Sequence, residues 1–295
     1  MYLFQKIEEL MMTYNDARRS IGAFVIQERT NLYKYTINDI AENTFTSKAT
    51  VVRFAKALGF DGWKEFMKAF IAEIKYEETH QDDVDANYPF TEKDSPKEIK
   101  EKIKSLQIQS IEDTADLLEI EMLEKATNYL LDAKRVFIFG LSPNTFLGEL
   151  FRRKMITIGK SVEIARTGET GIISRTLSNN DCAILISYSG NNDTTDPTCH
   201  LKTLLDNNVP VIGITSGGDN LIRRNLDCVL TISSKERLYS KISNFATEQS
   251  IQYILNVLFA NYFSKNYENN YKFKLQNSKI LETRRIATLN TMKDD

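Results

Sequence analysis

Residues 36–59 have the sequence TINDIAENTFTSKATVVRFAKALG, whose pattern predicts two short helices joined by a turn. The first helix is expected at Asn38–Asn43. Ser47 is a suitable N-cap for the second helix, because its hydroxyl can accept a backbone N–H of the first turn. The second helix should end at Leu58, since the next residue is Gly59 and glycine commonly follows a helix. The stretch therefore predicts a helix-turn-helix unit.

The second helix of this unit is expected to have one apolar side and one polar, basic side. At about 100° per residue, the apolar stripe comprises Val51, Phe54, Ala55 and Leu58. A helix that enters the major groove of DNA needs small residues for close approach and basic residues for bases and phosphates. The candidate DNA-binding residues are Ser47, Lys48, Ala49, Thr50, Arg53, Lys56 and, in the following helix, Lys64.

The local charge agrees with this hypothesis, although the whole chain has a net charge of −2. Residues 44–70 contain five basic side chains against two acidic ones. Such a patch can bind the phosphate backbone, which adds affinity but carries no sequence information. The alternative is a fragment of an all-α bundle with a solvated basic face, and the pattern alone favours neither interpretation.

The bulk composition predicts a cytoplasmic protein of two domains without a membrane segment. The chain has 295 residues, of which 42% are hydrophobic and 26% charged. No apolar run approaches the ~20 residues that cross a bilayer. The first ten residues contain acids and lack the pattern of a secretory signal. Three widely spaced cysteines without a Cys-x-x-Cys pair, and only two histidines, indicate neither disulfides, nor a metal, nor another cofactor.

Changes in composition divide the chain into four parts. Residues 1–76 show helical periodicity and contain no proline, as expected for an all-α domain. Residues 77–96 are acidic and polar, which is typical of a linker. Residues 97–265 form the second domain, which a long helix from Pro96 to Leu131 is expected to open. Residues 266–295 are a polar tail that could hold one more helix near Lys279–Leu289.

The second domain alternates short apolar runs with helical stretches. Continuous apolar strands separated by helices are typical of a parallel sheet covered on both faces. We therefore predict a three-layer, doubly wound α/β domain with a five-stranded parallel sheet. The predicted strands are 135–139, 161–164, 182–186, 209–214 and 228–232, and the predicted helices are 146–158, 169–177, 194–207 and 239–265.

Three polar loops follow predicted strands, at residues 140–145, 187–194 and 215–219. Ligands of open parallel sheets bind beyond the carboxyl ends of the strands. Hydroxyls, amides and the N–H groups at a helix N-terminus would hold a phosphate there without lysine or arginine. Such residues also simply punctuate loops of any α/β fold. The candidate phosphate-binding residues are Ser142, Asn144, Thr145, Ser187, Ser189, Gly190, Asn191, Asn192 and Thr194.

Two stretches resemble known families. The run SKATVVRFAKALGFDGWKEF, residues 47–66, resembles the N-terminal domain of the RpiR family of bacterial sugar-responsive regulators, with Phe45 where that family more often has glycine. Residues 117–265 resemble the SIS (sugar isomerase) domain, in which Ser187-Tyr-Ser-Gly190 would be the phosphate loop. Asn191-Asn192 stand where that family has Glu-Thr, and Ser142 and Asn144 stand in a loop that usually has the form Gly-x-Gly-x-Ser.

The resemblance implies a transcription regulator of carbohydrate metabolism, not an enzyme, with a phosphorylated sugar as effector. It would bind double-stranded operator DNA as a homodimer or homotetramer. The first alternative is a phosphosugar isomerase with an accessory helical domain, for which His200 could be the base, while Glu236 or Glu248 could reach the sugar. The second is a sugar-phosphate-binding protein that acts through another protein. The absence of a His–Glu pair beside the loops favours regulation.

Overall fold

The computed structural model describes residues 3–79, 84–233 and 235–283, together with 286, 289 and 291. In its N-terminal part, helices pack around one apolar core that includes the fully buried Phe54, Phe66 and Phe70. A single 3-10 turn at Leu32–Lys34 precedes the predicted helix-turn-helix. The helices are α1 (Leu3–Thr13), α2 (Ala17–Gln27), α3 (Ile37–Asn43), α4 (Lys48–Ala57) and α5 (Trp63–Thr79).

Helices α3 and α4 form the predicted helix-turn-helix, with bounds within a residue of those expected. The Thr36 hydroxyl accepts the Asp39 backbone N–H, and the Asp39 carboxylate accepts the Thr36 N–H, which together form a capping box. Ser47 caps α4 by accepting the Thr50 N–H at 3.2 Å. The expected apolar stripe of α4 is confirmed, since all four of its residues are buried.

The segment before the second domain is anchored to that domain. Helix α5 extends three residues into the predicted linker, whose residues 80–83, including His80, lie outside the described residues. Beyond them, the Asn87 side-chain oxygen accepts the Arg237 N–H at 2.7 Å, and the Asn87 carbonyl accepts the Ile242 N–H at 2.9 Å. Residues 84–90 therefore pack against the C-terminal part.

The long helix predicted over 96–131 is wrong in one respect, because it is two helices. They are α6 (Pro96–Leu117) and α7 (Ile120–Asp132), separated by Leu118 and Glu119, both in an extended conformation. No glycine or proline marks the break. The break results from tertiary packing. It allows the apolar side of α7 to lie on the sheet, while α6 packs along a long helix near the C-terminus, Phe245–Ser264.

Five parallel strands form the predicted sheet in the order β2-β1-β3-β4-β5, which confirms the doubly wound fold. Consecutive residues of the first strand face opposite layers. Ile138 packs in one core with Phe151 and Ile254, whereas Phe139 packs in another with Leu201 and Ile222. The strands are β1 (Val136–Gly140), β2 (Val162–Ile164), β3 (Cys182–Ile186), β4 (Val211–Ser216) and β5 (Val229–Ile232).

Helices cover both faces of the sheet, as expected for three layers. Three differ from prediction: α10 starts later than residue 194, α12 starts later than residue 239, and α11 was not predicted. The helices are α8 (Asn144–Ile156), α9 (Thr170–Thr176), α10 (Leu201–Asp206), α11 (Leu221–Asn225), α12 (Phe245–Ser264) and α13 (Tyr267–Leu281).

The helix expected near Lys279–Leu289 is wrong, because α13 lies earlier, at Tyr267–Leu281. Aromatic side chains set its position: the Phe263 and Tyr267 rings are 5.2 Å apart, and the Tyr267 and Tyr271 rings are stacked at 6.4 Å. Most residues after 283 lie outside the described residues. Among the described helices, none combines the length and apolar character needed to span a bilayer.

Candidate functional site

The exposed side of α4 is polar and basic, next to the buried stripe that holds the helix on the domain. Ser47, Lys48, Ala49, Arg53 and Lys56 are exposed, Thr50 is half-buried, and Lys64 is exposed at the start of α5. An Arg53 guanidinium N–H donates to the Thr50 hydroxyl at 3.2 Å, so the two side chains form one polar unit. All the candidate DNA-binding residues are thus accessible to a partner.

Phe45 lies in the turn between α3 and α4 in a left-handed conformation, with φ of 53°. Its side chain is 98% exposed. A left-handed conformation costs a residue with a Cβ about 1–2 kcal/mol. The ring recovers none of that cost by burial, so Phe45 is a local source of strain in this unit.

Replacing Phe45 with glycine is expected to increase the free energy of unfolding of the N-terminal domain by about 0.5–1 kcal/mol. The gain is the relief of the left-handed strain, reduced by the greater freedom of glycine in the unfolded chain. Trp63 is the one tryptophan of the chain and packs on Phe66 with ring centroids 4.8 Å apart, so denaturant unfolding followed by its fluorescence reports this domain.

The matched control is Phe45→Ala, which removes the ring but keeps a Cβ. We expect it to leave the unfolding free energy nearly unchanged. Equal stability of the glycine and alanine variants would show that the turn is not strained.

The second candidate region lies where β1 and β3 end side by side. Their register pairs Gly140 with Ile186, so the first two loops leave the same edge of the sheet. The chain continues from β1 and from β3 toward opposite sides of the sheet, which makes this point the topological switch where ligands of such folds bind. An Asn144 amide N–H donates to the Ile186 carbonyl at 3.3 Å and joins the first loop to the second.

In the first loop, Ser142 is exposed, and Asn144 and Thr145 are half-buried at the N-terminus of α8. Helix α8 has 13 residues, and the positive end of its dipole faces this loop. The Thr145 and Phe146 N–H groups of its first turn already donate to the Leu141 and Pro143 carbonyls. The first loop thus leads directly into a helix, as predicted.

The second loop differs from the prediction. No helix begins at Thr194: a 3-10 turn begins at Thr198 and α10 only at Leu201. Pro197 lies inside the predicted helix, and proline disfavours helical conformation at the residue before it and lacks an N–H. The second loop therefore does not lead directly into a helix N-terminus.

The residues of the second loop separate into two groups. Ser187 and Ser189 are half-buried, and Ser187 Oγ accepts the Gly190 N–H at 3.2 Å. The other three residues are exposed, and their polar groups form hydrogen bonds within the protein. They are Asn191, Asn192 and Thr194. Asn191 Oδ1 accepts the Leu221 N–H at 3.2 Å, and Asn192 Oδ1 accepts the N–H and hydroxyl of Thr194 at 3.0 and 2.8 Å.

Gly190 has a steric role as well as a conformational one. Its φ is +61°, and a Cβ built there would lie 2.5 Å from Thr215 Oγ1 and 2.7 Å from Asn220 Oδ1. Asn220 is buried and caps α11, donating also to the Ser216 carbonyl at 3.3 Å. The second and third loops are therefore in close contact through Gly190.

An arginine lies beside the second loop, which corrects the expectation that only neutral groups surround it. An Arg224 N–H donates to Asn191 Oδ1 at 3.3 Å, and Arg224 pairs with Asp219 at 3.2 Å. Helix α11, which carries this arginine, was not predicted from the sequence. Asn220 and Arg224 were both missed, and an Asn followed by a short helical stretch after a strand is the local signal that could have revealed them.

Glu236, one of the acids that could reach the sugar, has other partners. Glu236 is buried, and its carboxylate accepts the backbone N–H groups of Ala246 and Thr247 at 2.6 and 3.2 Å, which caps α12. Lys241 pairs with the same carboxylate at 3.0 Å. The pKa of Glu248 is raised by burial first and by the nearby Glu236 second. Burial raises the pKa of Tyr188, whose hydroxyl donates to the Glu236 carbonyl.

Comparison with known proteins identifies both parts of the chain. Residues 1–77 match the helix-turn-helix domain of the rpiR family, and residues 129–261 match the SIS domain. The HTH-type transcriptional regulator HexR of Pseudomonas aeruginosa is 23% identical over 231 residues, or 77% of this chain and 78% of HexR. An HTH-type transcriptional regulator of Caldanaerobacter subterraneus is 23% identical over 281 residues, or 95% of this chain and 97% of that protein.

One solved structure has both parts in the same order. The Vibrio vulnificus NanR protein complexed with ManNAc-6P matches 97% of this chain with 100% of its own, at a TM-score of 0.58 and 17% identity. At this identity the likeness shows a shared fold. The predicted succession of an all-α domain and a doubly wound α/β domain is thereby confirmed.

Proposed function

Because the chain belongs to the rpiR family, with a helix-turn-helix domain followed by a SIS domain, we propose that it is a transcription regulator controlled by a phosphorylated sugar. The sugar would bind the loops at the carboxyl ends of β1 and β3, and its binding would change the affinity for operator DNA. The observation that carries the DNA-binding part is the polar and basic exposed side of α4.

In this proposal α4 enters the major groove. Ser47, Lys48, Ala49 and Thr50 would approach the bases at its N-terminal end, Arg53 would read a base edge, and Lys56 would contact the groove or a phosphate. Lys64, on α5, would hold a phosphate.

The phosphate would lie between the first loop and the serines of the second. Ser142, Asn144 and Thr145 lie at the N-terminus of α8, and Ser187 and Ser189 follow β3 next to them. Within the described residues, the hydroxyls of Ser142 and Ser189 have no hydrogen-bond partner, which leaves them able to donate to a ligand. Gly190 would allow close approach, while Asn191, Asn192 and Thr194 would shape the loop.

We propose further that the protein acts in the cytoplasm as a homodimer or homotetramer. One helix-turn-helix buries little DNA surface, whereas two recognition helices about 34 Å apart fit a palindromic operator. Helix α13 offers an apolar surface for self-association, because aromatic and aliphatic side chains are exposed along it. These are Tyr267, Tyr271, Phe273, Ile280 and Leu281.

Two observations argue against the isomerase alternative. Glu236 is occupied as the cap of α12, and His200 is hydrogen-bonded to Asp196 at 2.7 Å. A base for sugar isomerisation must instead face the reacting carbon of the substrate. The DNA-binding helix has no role in such an enzyme.

The function can be tested with phosphorylated sugars and genomic DNA fragments. A phosphosugar at about 100 times its dissociation constant should stabilise the protein by about 2.7 kcal/mol. The same compound should change operator affinity about 5- to 150-fold in fluorescence anisotropy. Ser189→Ala should weaken sugar binding about 10- to 150-fold, because a hydrogen bond to a charged group contributes about 1.5–3 kcal/mol.

The matched control is Ser161→Ala, since Ser161 is exposed before β2, at the opposite edge of the sheet. It should leave both activities intact. Turnover of the sugar in NMR spectra would support the isomerase instead. Stabilisation by sugar without any binding of genomic fragments would favour a protein that acts through another protein.

A further inference from the structure

Three side chains with metal-binding donor atoms come together in the connection between β3 and α10. Asp196, Cys199 and His200 each offer one such atom, and these atoms lie within 4.8 Å of one another. Asp196 Oδ1 is 2.7 Å from His200 Nε2 and 3.9 Å from Cys199 Sγ. We propose that these residues form a binding site for a transition-metal ion of the Zn²⁺ type, a ligand distinct from the phosphosugar of the proposed function.

The three residues lie close together in the chain, at the start of a helical turn. Cys199 and His200 belong to the 3-10 turn Thr198–His200, which α10 continues, and Asp196 lies two residues before that turn. Hydrogen bonds between Asp196 and each of the other two bring the side chains together. A Cys-x-x-Cys pair is therefore not needed to assemble a metal site here.

The separations suit a tetrahedral ion. Bonds of about 2.0–2.3 Å to oxygen, nitrogen and sulfur place neighbouring donor atoms about 3.4–3.8 Å apart. The distance from Asp196 to Cys199 already has about this value, and the shorter contact from Asp196 to His200 must open by less than an ångström. The donor atoms of Cys199 and His200 lie within 4.8 Å and must approach by about 1 Å at most. Ion binding therefore requires only local adjustment of the three side chains.

The types of donor select the class of metal. A thiolate, an imidazole and a carboxylate suit Zn²⁺ and its neighbours in the first transition row, whereas Mg²⁺ and Ca²⁺ prefer oxygen alone. Three protein ligands leave a fourth position open, as in the sites where zinc also holds a water molecule or a further ligand.

The site is sheltered and its carboxylate is oriented. The side chains of His200 and Asp196 are only 16% and 13% exposed. The Thr170 hydroxyl donates to Asp196 Oδ2 at 3.3 Å, leaving Oδ1 directed at the other two residues. The ring of Phe139 packs near that of His200, with centroids 6.1 Å apart. Such outer contacts hold metal ligands in place.

The proposed metal site is attached to the second phosphosugar loop. The Thr198 hydroxyl donates to the Asn192 carbonyl, and the Cys199 N–H donates to the Thr195 carbonyl at 3.1 Å. A bound ion would fix the turn that follows this loop. Binding of the ion would therefore be coupled to binding of any ligand by the loop. The existence of the metal site does not depend on that ligand.

The test uses the full-length protein, freed of metal and titrated with Co²⁺. We expect one equivalent to bind and to produce thiolate-to-cobalt charge-transfer absorption. Cys199→Ser should abolish that absorption, and His200→Gln should weaken Co²⁺ binding at least about tenfold, since loss of an outer-shell partner alone costs that much. Cys228→Ser and His80→Gln are the matched controls for the two residue types and should behave as wild type.

A second measurement needs no variant and so does not depend on how a variant folds. Cys199 is half-buried, whereas Cys182 and Cys228 are buried, so a thiol reagent should modify Cys199 first. One equivalent of Zn²⁺ should slow that modification at least tenfold. An unchanged rate with Zn²⁺, or Co²⁺ bound without thiolate absorption, would overturn the proposal.

Discussion

Replacement of Arg53 by alanine is expected to weaken operator binding about 5- to 150-fold, a loss of about 1–3 kcal/mol for one base contact. Arg53 is exposed on α4, and its hydrogen bond to Thr50 lies at the protein surface. Loss of this side chain therefore removes no packing from the core. The stability of the domain should change by no more than about 0.5 kcal/mol. Fluorescence anisotropy with an operator duplex measures the first effect, and Trp63 fluorescence during unfolding measures the second.

Two further variants distinguish a base contact from a phosphate contact. Arg53→Lys keeps the charge but loses the planar pair of donors, so it should recover little of the sequence preference. Lys64→Ala should weaken binding to all sequences alike and reduce the salt slope by about 1. The matched control for charge is Arg175→Ala, at an exposed position on α9. If Arg53→Ala lowered affinity no more than Arg175→Ala does, α4 would not be the recognition helix.

Replacement of Gly190 by alanine should destabilise the C-terminal domain by about 2–5 kcal/mol and remove its stabilisation by phosphosugar. A left-handed conformation costs about 1–2 kcal/mol with a Cβ, and forcing an atom into packed surroundings adds about 1–3 kcal/mol. The obstacles are Thr215 and the buried Asn220, both less than 3 Å from the added Cβ. Denaturant unfolding followed by circular dichroism measures the loss, and a thermal-shift titration measures sugar binding.

Gly168→Ala is the matched control, because it separates strain from collision. Gly168 also has a positive φ, of 90°, but a Cβ there would meet nothing within 4 Å. The variant should lose only about 1–2 kcal/mol of unfolding free energy, and phosphosugar should still stabilise it. The Trp63 transition should remain unchanged in both variants, since Trp63 packs in the other core. If the two variants lost equal unfolding free energy, the contact between the second and third loops would contribute nothing to stability.

The fold could be predicted where the sequence pattern is strong and local. The apolar runs that became β1, β3 and β4 are wholly buried between helices on both faces, so their hydrophobicity identified them directly. Helices α3 and α4 could be predicted because Thr36 and Ser47 act as caps through their own neighbours in sequence. The positions of α6, α7 and α13 depend instead on packing with residues far along the chain.

Only part of the candidate phosphate site could be predicted. Ser142 and Ser189 follow strands directly, so their placement at one edge of the sheet follows from the topology. The hydrogen bonds that join Asn191 to Leu221 and to Arg224 connect loops about 30 residues apart, so no local pattern encodes this pairing. Pro197 was visible in the sequence, and its known effect on helices explains why α10 begins after it.

The anchoring of Asn87 leaves a short tether between the two halves of the protein. Helix α5 ends at Thr79, and residues 84–90 are already fastened to the C-terminal part. Five peptide steps separate Thr79 from Val84, and a chain reaches at most about 3.6 Å per residue, or ~18 Å in all. Helix α4 therefore cannot move far from the C-terminal part. In the proposed dimer, the length of this tether would limit the distance between the two half-sites of an operator.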